Sequence, residues 1–549
     1  MTRSTRFGRR RITLVGTIAI GVVLLTAMPA SAATYPRISG EGSSWAANAV
    51  QQWQADMQNQ GVTVDFNPNG SSQGRKDFAQ QIATDYAVSE IPYSGDTADV
   101  QDSFRPQFGY SLMPMVAGGT SFMYNLRVNG GRLTALKLSQ AAIAGIFSGQ
   151  ITQWNDPAIR ADNAGVNLPA APITVVVRSE GSGATAQFTL WMLRQFPDAY
   201  KRLCQTSGAC DGAHATSYFP AARLPNFVAQ SGSNGVTTYT TNTPYTINYD
   251  EYSYAQQVGF PVAQVKNAAG YYTVPTDSAV AVALIKAKIN TNAKDPNYLS
   301  QDLSEVYPYT DPRTYPISSY SYFITPRQTT GSFTPAKGAT LGYFTQYALC
   351  EGQRTMGKLG YSPLPMNLVL AAMEQVKLIP GIDKPTLDKI AATEKGVSQG
   401  NANPCNNPTF KPGDDPSHNV LVDTAPFPAG CDAACQAPWK KPGVAQNPNG
   451  PKFQGAGIAA QNNAAPEPSV SAAAPQACDP DTGICSDSAS AQGVAKVTPV
   501  SAVIPGQLGW AGPQTLMVIV GLLVAMLLLA PPLASRLLFG VARRARGQK

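Results

Sequence analysis

In the stretch VVVRSEGSGATAQFTLWML, residues 175–193, a β-branched run ends in Arg178. Glu180, Ser182 and Gly183 follow before a helical pattern begins. Arginine supplies a permanent cation with a planar fork of donors. A helix start supplies free N–H groups and a partial positive charge, so it can take an anion without a formal cation. Two further stretches share this arrangement. ISGEGSSWAANAV sets Gly40, Gly42, Ser43 and Ser44 ahead of a helix starting near Trp45, and VDFNPNGSSQGRKDFAQQI sets Gly70, Ser71, Ser72 and Gly74 between a strand and a helix. Glycine lets the backbone approach a ligand, and serine hydroxyls add donors. One serine before a helix is an ordinary N-cap. Three such loops, one led by arginine, point to an oxyanion site.

Other chemistries fit less well. The P-loop pattern is absent, and GEGSSW lacks the third glycine of a dinucleotide-binding turn. GSSQG does spell G-x-S-x-G around Ser72, as a nucleophile elbow would. A serine nucleophile there needs a histidine base, and the chain has only His214, beside Cys210, and His418, in DDPSHNV outside the folded pattern. No catalysis is expected. The eight cysteines lie beyond the N-terminal apolar segment. Cys204/Cys210, Cys431/Cys435 and Cys478/Cys485 are close pairs, leaving Cys350 and Cys405. Disulfides are expected of an exported chain. The spacings and the scarcity of histidine disfavour zinc, and neither a metal nor a cofactor is expected.

The elements that must position these loops read as an α/β fold between residue 36 and about 380. TVDF, ITVVVR and YFIT read as strands. WAANAVQQWQADM reads as a helix because Ala46, Val50, Trp53 and Met57 recur at helical spacing; NLVLAAMEQVKL is another. The Tyr/Thr-rich stretch Val236–Tyr272 reads as irregular strand and loop, its tyrosines as packing residues. Residues 381–440 read as a disulfide-containing extension. Residues 441–513, rich in Pro, Gly, Ala, Asn and Gln, cannot bury enough apolar surface to offset chain entropy and read as a disordered linker.

The two ends carry targeting signals. Five arginines, an apolar segment and PASAA predict a signal peptide over residues 1–32. The run Leu516–Pro531 is free of charge and predicts one transmembrane helix within 514–536. The basic tail, 537–549, is expected on the cytoplasmic side, leaving a single-pass cell-membrane protein with its bulk extracellular. Ten of the 41 basic residues lie in these two ends, which hold no acid, so the middle carries 31 basic against 34 acidic residues. The positive balance therefore belongs to targeting and predicts no nucleic-acid partner.

GEGSSW before a helix, NGSSQG, ATDYAVSEIPY, GGTSFMYNL, AGIFSGQITQWNDPAI and VVVRSEGSGAT occur in the order seen in the phosphate-binding proteins of bacterial ABC phosphate importers. The chain resembles that family from about Ile38 to Gly381, most densely over residues 38–190. The resemblance implies a two-lobed periplasmic-type binding protein with two hinge crossings. Its first lobe would comprise 36–116 and 325–380, and its second 117–324. The implied partners are inorganic phosphate and the membrane subunits of an ABC importer, with the protein a monomer. Family members facing outward on a single membrane carry a lipidated cysteine after the signal. None follows here, so the C-terminal helix is expected to anchor the chain. That departure leaves open a cell-surface sensor or adhesion protein reusing the fold, and less favourably an enzyme acting on phosphate esters.

By position, the resemblance implies phosphate contacts from Ser44, Ser71, Arg178, Ser182 and Gly183, with Glu180 steadying the arginine. Two departures stand out. The family's ligand-accepting aspartate is Glu90 here. The threonine after Ser-Gly is Ala184, which keeps the amide but loses a hydroxyl that Thr185 is placed to replace. A carboxylate acceptor bonds the proton of hydrogen phosphate and opposes fully ionised sulfate.

Overall fold

The computed structural model describes residues 35–93, 104–431 and the two-residue strand Ile484–Cys485. Its first unit is β1 (Ile38–Gly42), α1 (Ala47–Gln58), β2 (Val64–Asn67), α2 (Ser71–Gln80) and β3 (Tyr86–Ser89). Helix α1 buries Val50, Trp53 and Met57 along one face, the stripe that its sequence spacing predicts. β1 pairs in parallel with both β2 and β3. Two long strands extend this sheet, β4 (Tyr110–Ser121) near the start of the crossing and a later one described below.

A second sheet begins with β5 (Tyr124–Asn125) and continues through β6 (Thr174–Arg178), α3 (Gly183–Gln195), β7 (Phe227–Gln230), α4 (Gly232–Asn242) and β8 (Thr246–Asn248). The three valines of β6 are buried, as a central strand covered on both faces requires. Behind it Phe147, Phe188, Phe219 and Tyr249 form an aromatic cluster, with Phe188 stacked on Tyr249 at 4.8 Å. Each such buried ring contributes roughly 2–3 kcal/mol. β9 (Asp250–Glu251) and β10 (Ser318–Pro326) return the chain to the first sheet.

The first sheet has the order β9-β4-β10-β3-β1-β2 and the second β7-β6-β8-β5. The chain passes from the first to the second after Ser121 and returns between Asn248 and Asp250. It then leaves again. Gln264–Lys266 pairs with Lys137–Leu138, before the helix Asp277–Leu284 packs against β4 and β10. The expected lobe boundaries at 116/117 and 324/325 therefore cut strands. β4 and β10 pair antiparallel from Tyr110/Pro326 to Gly119/Ser318 and form one continuous spine of the first sheet.

The Val236–Tyr272 stretch also differs from expectation. Its start is helical: Val236, Thr237 and Thr240 of α4 are buried, and the Thr240 hydroxyl donates to the Val236 carbonyl at 2.8 Å. Burial of that face outweighs the poor helix propensity of threonine. A second short helix covers Tyr252–Gln257.

Residues 381–431 join the first lobe. α5 (Pro335–Leu349), α6 (Met366–Val376) and α7 (Lys384–Ser398) follow β10, and Ile390, Val397, Cys405 and Phe410 belong to the main core. Disulfides join Cys204 to Cys210 and Cys350 to Cys405. Cys431 is disulfide-bonded; Cys435 and Cys478 lie outside the described residues. Ile484–Cys485, within the expected linker, pairs antiparallel with Arg132–Leu133. The segments expected to be signal peptide, transmembrane helix and cytoplasmic tail, and the rest of the expected linker, lie outside the described residues. Among those described, no helix is long and apolar enough to cross a membrane.

Candidate functional site

Every loop singled out in the sequence leaves the C-terminal end of a parallel strand. β1 leads to Ser43 and Ser44, β2 to Ser71 at the first turn of α2, and β3 to Glu90. β6 ends on Arg178 and leads to Glu180, Ser182 and Gly183. In open α/β sheets the crevice outside these strand ends is where ligands bind. Here the strand ends of two sheets face each other across it.

Glu90 is buried and collects hydroxyls. Ser71 Oγ donates to its Oε2 at 2.7 Å, Ser321 Oγ to Oε1 at 2.9 Å, and Ser43 Oγ also donates to Oε1. Its backbone carbonyl accepts from Gln187 Nε2 of α3 at 2.9 Å, a bond that crosses the cleft. Glu90 is therefore not a solvated loop acid. The extra methylene relative to aspartate is accommodated by glycine at 183, where a Cβ would collide with Glu90 Oε2 and crowd Ser71 Oγ.

Arg178 is 2 % exposed. Its Nη2 donates to Glu180 Oε1 and to Ser44 Oγ, and its Nη1 donates to Ser233 Oγ at 3.3 Å. Asp250 Oδ2 stands 3.8 Å from Nη1. Burial opposes the guanidinium charge, but Glu180 and Asp250 outweigh it and hold the pKa above the ordinary arginine value. Arg178 is buried in this pair while Glu180 is partly exposed, and Glu180 is itself held by the Gly232 amide at 3.0 Å. Ser44 Oγ accepts from the Ser233 amide at 3.0 Å, so the Arg178 cluster also spans both lobes.

Ser182 caps α3 by accepting from the Thr185 amide at 3.4 Å, leaving Gly183 and Ala184 in the first turn with their amides at the helix start. The Thr185 hydroxyl is engaged with Tyr249 at 2.5 Å behind the helix start. Its expected service as a replacement donor is therefore shared with a core contact. The lobes also touch directly: the Ser72 amide donates to the Gly181 carbonyl at 3.1 Å, and Ser72 Oγ to Ser217 Oγ at 3.0 Å.

Sequence reasoning missed Ser43 as a Glu90 donor, and missed Ser321, Ser233, Tyr249 and Asp250 entirely. For Ser233 a signal was present. AQSGSNGV is a fourth strand, Gly/Ser loop and helix, and Gly232 there takes a φ of +68° that favours glycine. For Ser321 and Asp250 there was none, because both reach the site from strands distant in sequence. Asp250 is 2 % exposed; burial raises its pKa to about 6 against the pull of Arg178.

The hydrolase alternative has no geometry behind it. Ser72 Oγ is bonded to Ser217, while His214 is exposed beside Asp211 at 2.6 Å and His418 lies between Asp414 and Asp423 at 2.9 and 2.7 Å. Among the described residues, no group of three or more His, Cys, Asp or Glu is placed to hold a metal.

Residues 27–351, more than half of the chain, match the model of the PBP superfamily domain. The phosphate-binding protein PstS 2 of Mycobacterium tuberculosis is 32% identical over 314 residues, covering 56% of this chain and 77% of its own. The phosphate-binding protein PstS of Methanocaldococcus jannaschii is 28% identical over 349 residues, covering 62% and 85%. Among solved structures, a phosphate-binding protein from Stenotrophomonas maltophilia aligns at 19% identity over 68% of this chain and 97% of that one, with a TM-score of 0.42.

Proposed function

The chain belongs to the PBP superfamily and, within it, to the family of the PstS phosphate-binding proteins, and from that premise we propose that it captures inorganic phosphate and delivers it to the membrane subunits of an ABC importer. The observation that carries this reading is the buried pairing of one cation with one caged acceptor. Arg178 supplies charge, while Glu90, fed by Ser43, Ser71 and Ser321, supplies a carboxylate that can receive a ligand proton. Ser44, Ser182 and the amides of Gly183 and Ala184 complete a set of donors at helix starts. Glu180 and Thr185 support them.

Capture would work by closure. Bonds such as Gln187 to Glu90 and Ser72 to Gly181 join the lobes. An anion that bridges Arg178 and the first-lobe serines adds to them, and in the dry cleft each charge-assisted bond is about twice as strong as a neutral one. The role is binding without catalysis, as a monomer. The comparisons favour transport over the sensor or adhesion reading.

The finer topology is part of the same reading. A signal peptide over 1–32 exports the chain, 441–513 spaces the binding unit, 514–536 anchors it, and 537–549 stays in the cytoplasm. The charge-free run Leu516–Pro531 and the basic tail behind it support this. Calorimetric titration of the full-length protein with phosphate tests the central claim, with saturable one-to-one binding expected. External protease on intact cells tests the topology, and release of a binding-competent ectodomain is the expected result.

A further inference from the structure

Arg178 faces two carboxylates, although one is enough to hold it. Glu180 makes the direct bond, whereas Asp250 Oδ2 stops 3.8 Å short of Nη1. The other oxygen of Asp250 is fully engaged: Ser233 Oγ donates to Oδ1 at 2.9 Å and the Glu251 amide at 2.8 Å. Oδ2 has no hydrogen-bond partner, and neither has Arg178 Nε, although both residues are 2 % exposed. A buried acceptor and a buried donor are thus left uncommitted in one cluster, a costly arrangement unless something else satisfies them.

We propose that Asp250 is a specificity-determining residue of the anion site: it shares the Arg178 guanidinium with the ligand, and so favours an anion carrying more protons over a fully ionised one. The proposal rests on the anion-binding reading given above. With Glu180 bonded to the guanidinium and Asp250 Oδ2 close by, two carboxylates already share the single cation. A second full negative charge on the ligand then meets repulsion that the dry cleft does not screen. A proton on the ligand converts the Oδ2 contact from repulsion into a hydrogen bond.

The groups facing Asp250 come from several elements. Arg178 and Glu180 belong to the end of β6, Ser233 to α4, and Tyr249 and Glu251 to its own strand region; Tyr254 and Tyr361 approach from neighbouring elements. Burial raises Glu251 and all three tyrosines well above their ordinary values. Asp250 itself is raised by burial to about 6. Below that pH its carboxyl is neutral and can donate to an anion. Above it, the carboxylate repels one, so affinity for a given anionic form falls as pH rises through about 6.

Sulfate is the informative probe because it has no proton to lose between pH 5 and 8. The full-length wild type and Asp250→Asn are titrated with sulfate and with phosphate across that range at constant ionic strength. Wild-type sulfate affinity should be about tenfold higher at pH 5 than at pH 8, the factor that one pKa unit of coupling gives. Asp250→Asn should be nearly flat in pH and bind sulfate about tenfold more tightly than wild type at pH 8. Equal pH slopes in the two proteins would overturn the proposal. So would a variant weaker than wild type at every pH, which would make Asp250 only a support for Arg178. Asp250→Ser, with a smaller polar side chain, decides the matter by the same criteria if the asparagine variant misfolds. Phosphate separates the two levels: wild type that binds no phosphate at any pH overturns the transport reading and this proposal together. Phosphate binding with unchanged slopes removes Asp250 alone.

Discussion

The two lobes bring opposite chemistry to one cleft. The first offers a carboxylate, Glu90, whose bonds come from the neutral hydroxyls of Ser43, Ser71 and Ser321. The second offers a cation, Arg178, with Glu180 bonded to it, and Asp250 approaches that cation from the first sheet. On the function proposed above, the caged acceptor would read the protons on a ligand and the held cation its charge. Many of the polar bonds at the site run between the lobes. The lobes are also fastened differently. Cys350–Cys405 closes a separation of 55 residues and ties the extension to the first lobe, whereas Cys204–Cys210 closes only 6 residues within the second.

That last contrast carries the largest expected effect. Chain-entropy arguments give about 4 kcal/mol for the long loop and about 2 kcal/mol for the short one. The double variant Cys350→Ser/Cys405→Ser should therefore lose roughly twice the stability of Cys204→Ser/Cys210→Ser in denaturant unfolding. Equal losses would mean that strain or residual unfolded structure, rather than loop closure, sets their contributions.

On the binding side, Arg178→Ala removes the cation from the second lobe and leaves Glu180 and Asp250 without their counter-charge. Phosphate affinity should fall about 100-fold by calorimetry while the far-ultraviolet spectrum is retained. Wild-type affinity in that variant would show that the first lobe binds the anion unaided.

Glu90→Gln tests the other half. It replaces an acceptor oxygen by an NH₂ donor, so sulfate should gain about tenfold relative to phosphate in competition at one ionic strength. If the ratio does not move, proton reading belongs to the groups around Arg178 rather than to Glu90.

The smallest effect concerns closure. Ser72→Ala deletes one hydroxyl bond across the cleft but keeps the amide bond to Gly181. A neutral bond of this kind contributes about 1 kcal/mol, so a loss of about fivefold in phosphate affinity is expected. The change should appear in the dissociation rate measured by stopped-flow fluorescence.

Much of this was legible in the sequence because it is local. Strand, Gly/Ser loop and helix occupy a few consecutive residues, so VVVRSEGSG and NGSSQG announce their own geometry. Tertiary burial overrode the local signal elsewhere. VTTYTTN looks extended by composition, yet packing its buried face makes it helical and puts Ser233 on Arg178. The lobe boundaries were misplaced for a related reason. Hydrophobic runs mark β4 and β10 as strands but say nothing of how far two strands 200 residues apart remain paired.

By itself, the amino-acid sequence determined the α/β class, the loops that face the cleft, Arg178 with its companion Glu180, and Glu90 where the family resemblance implies an aspartate. These follow from short-range patterns of burial, glycine and charge. Only the tertiary structure decided that serines from the loop after β1, the start of α2 and strand β10 converge on Glu90, and that Asp250 meets Arg178 across 72 residues of chain. Long-range neighbours are chosen by sheet order and by how two lobes close, and a linear pattern carries no distance between strands that come together only when the sheets are formed.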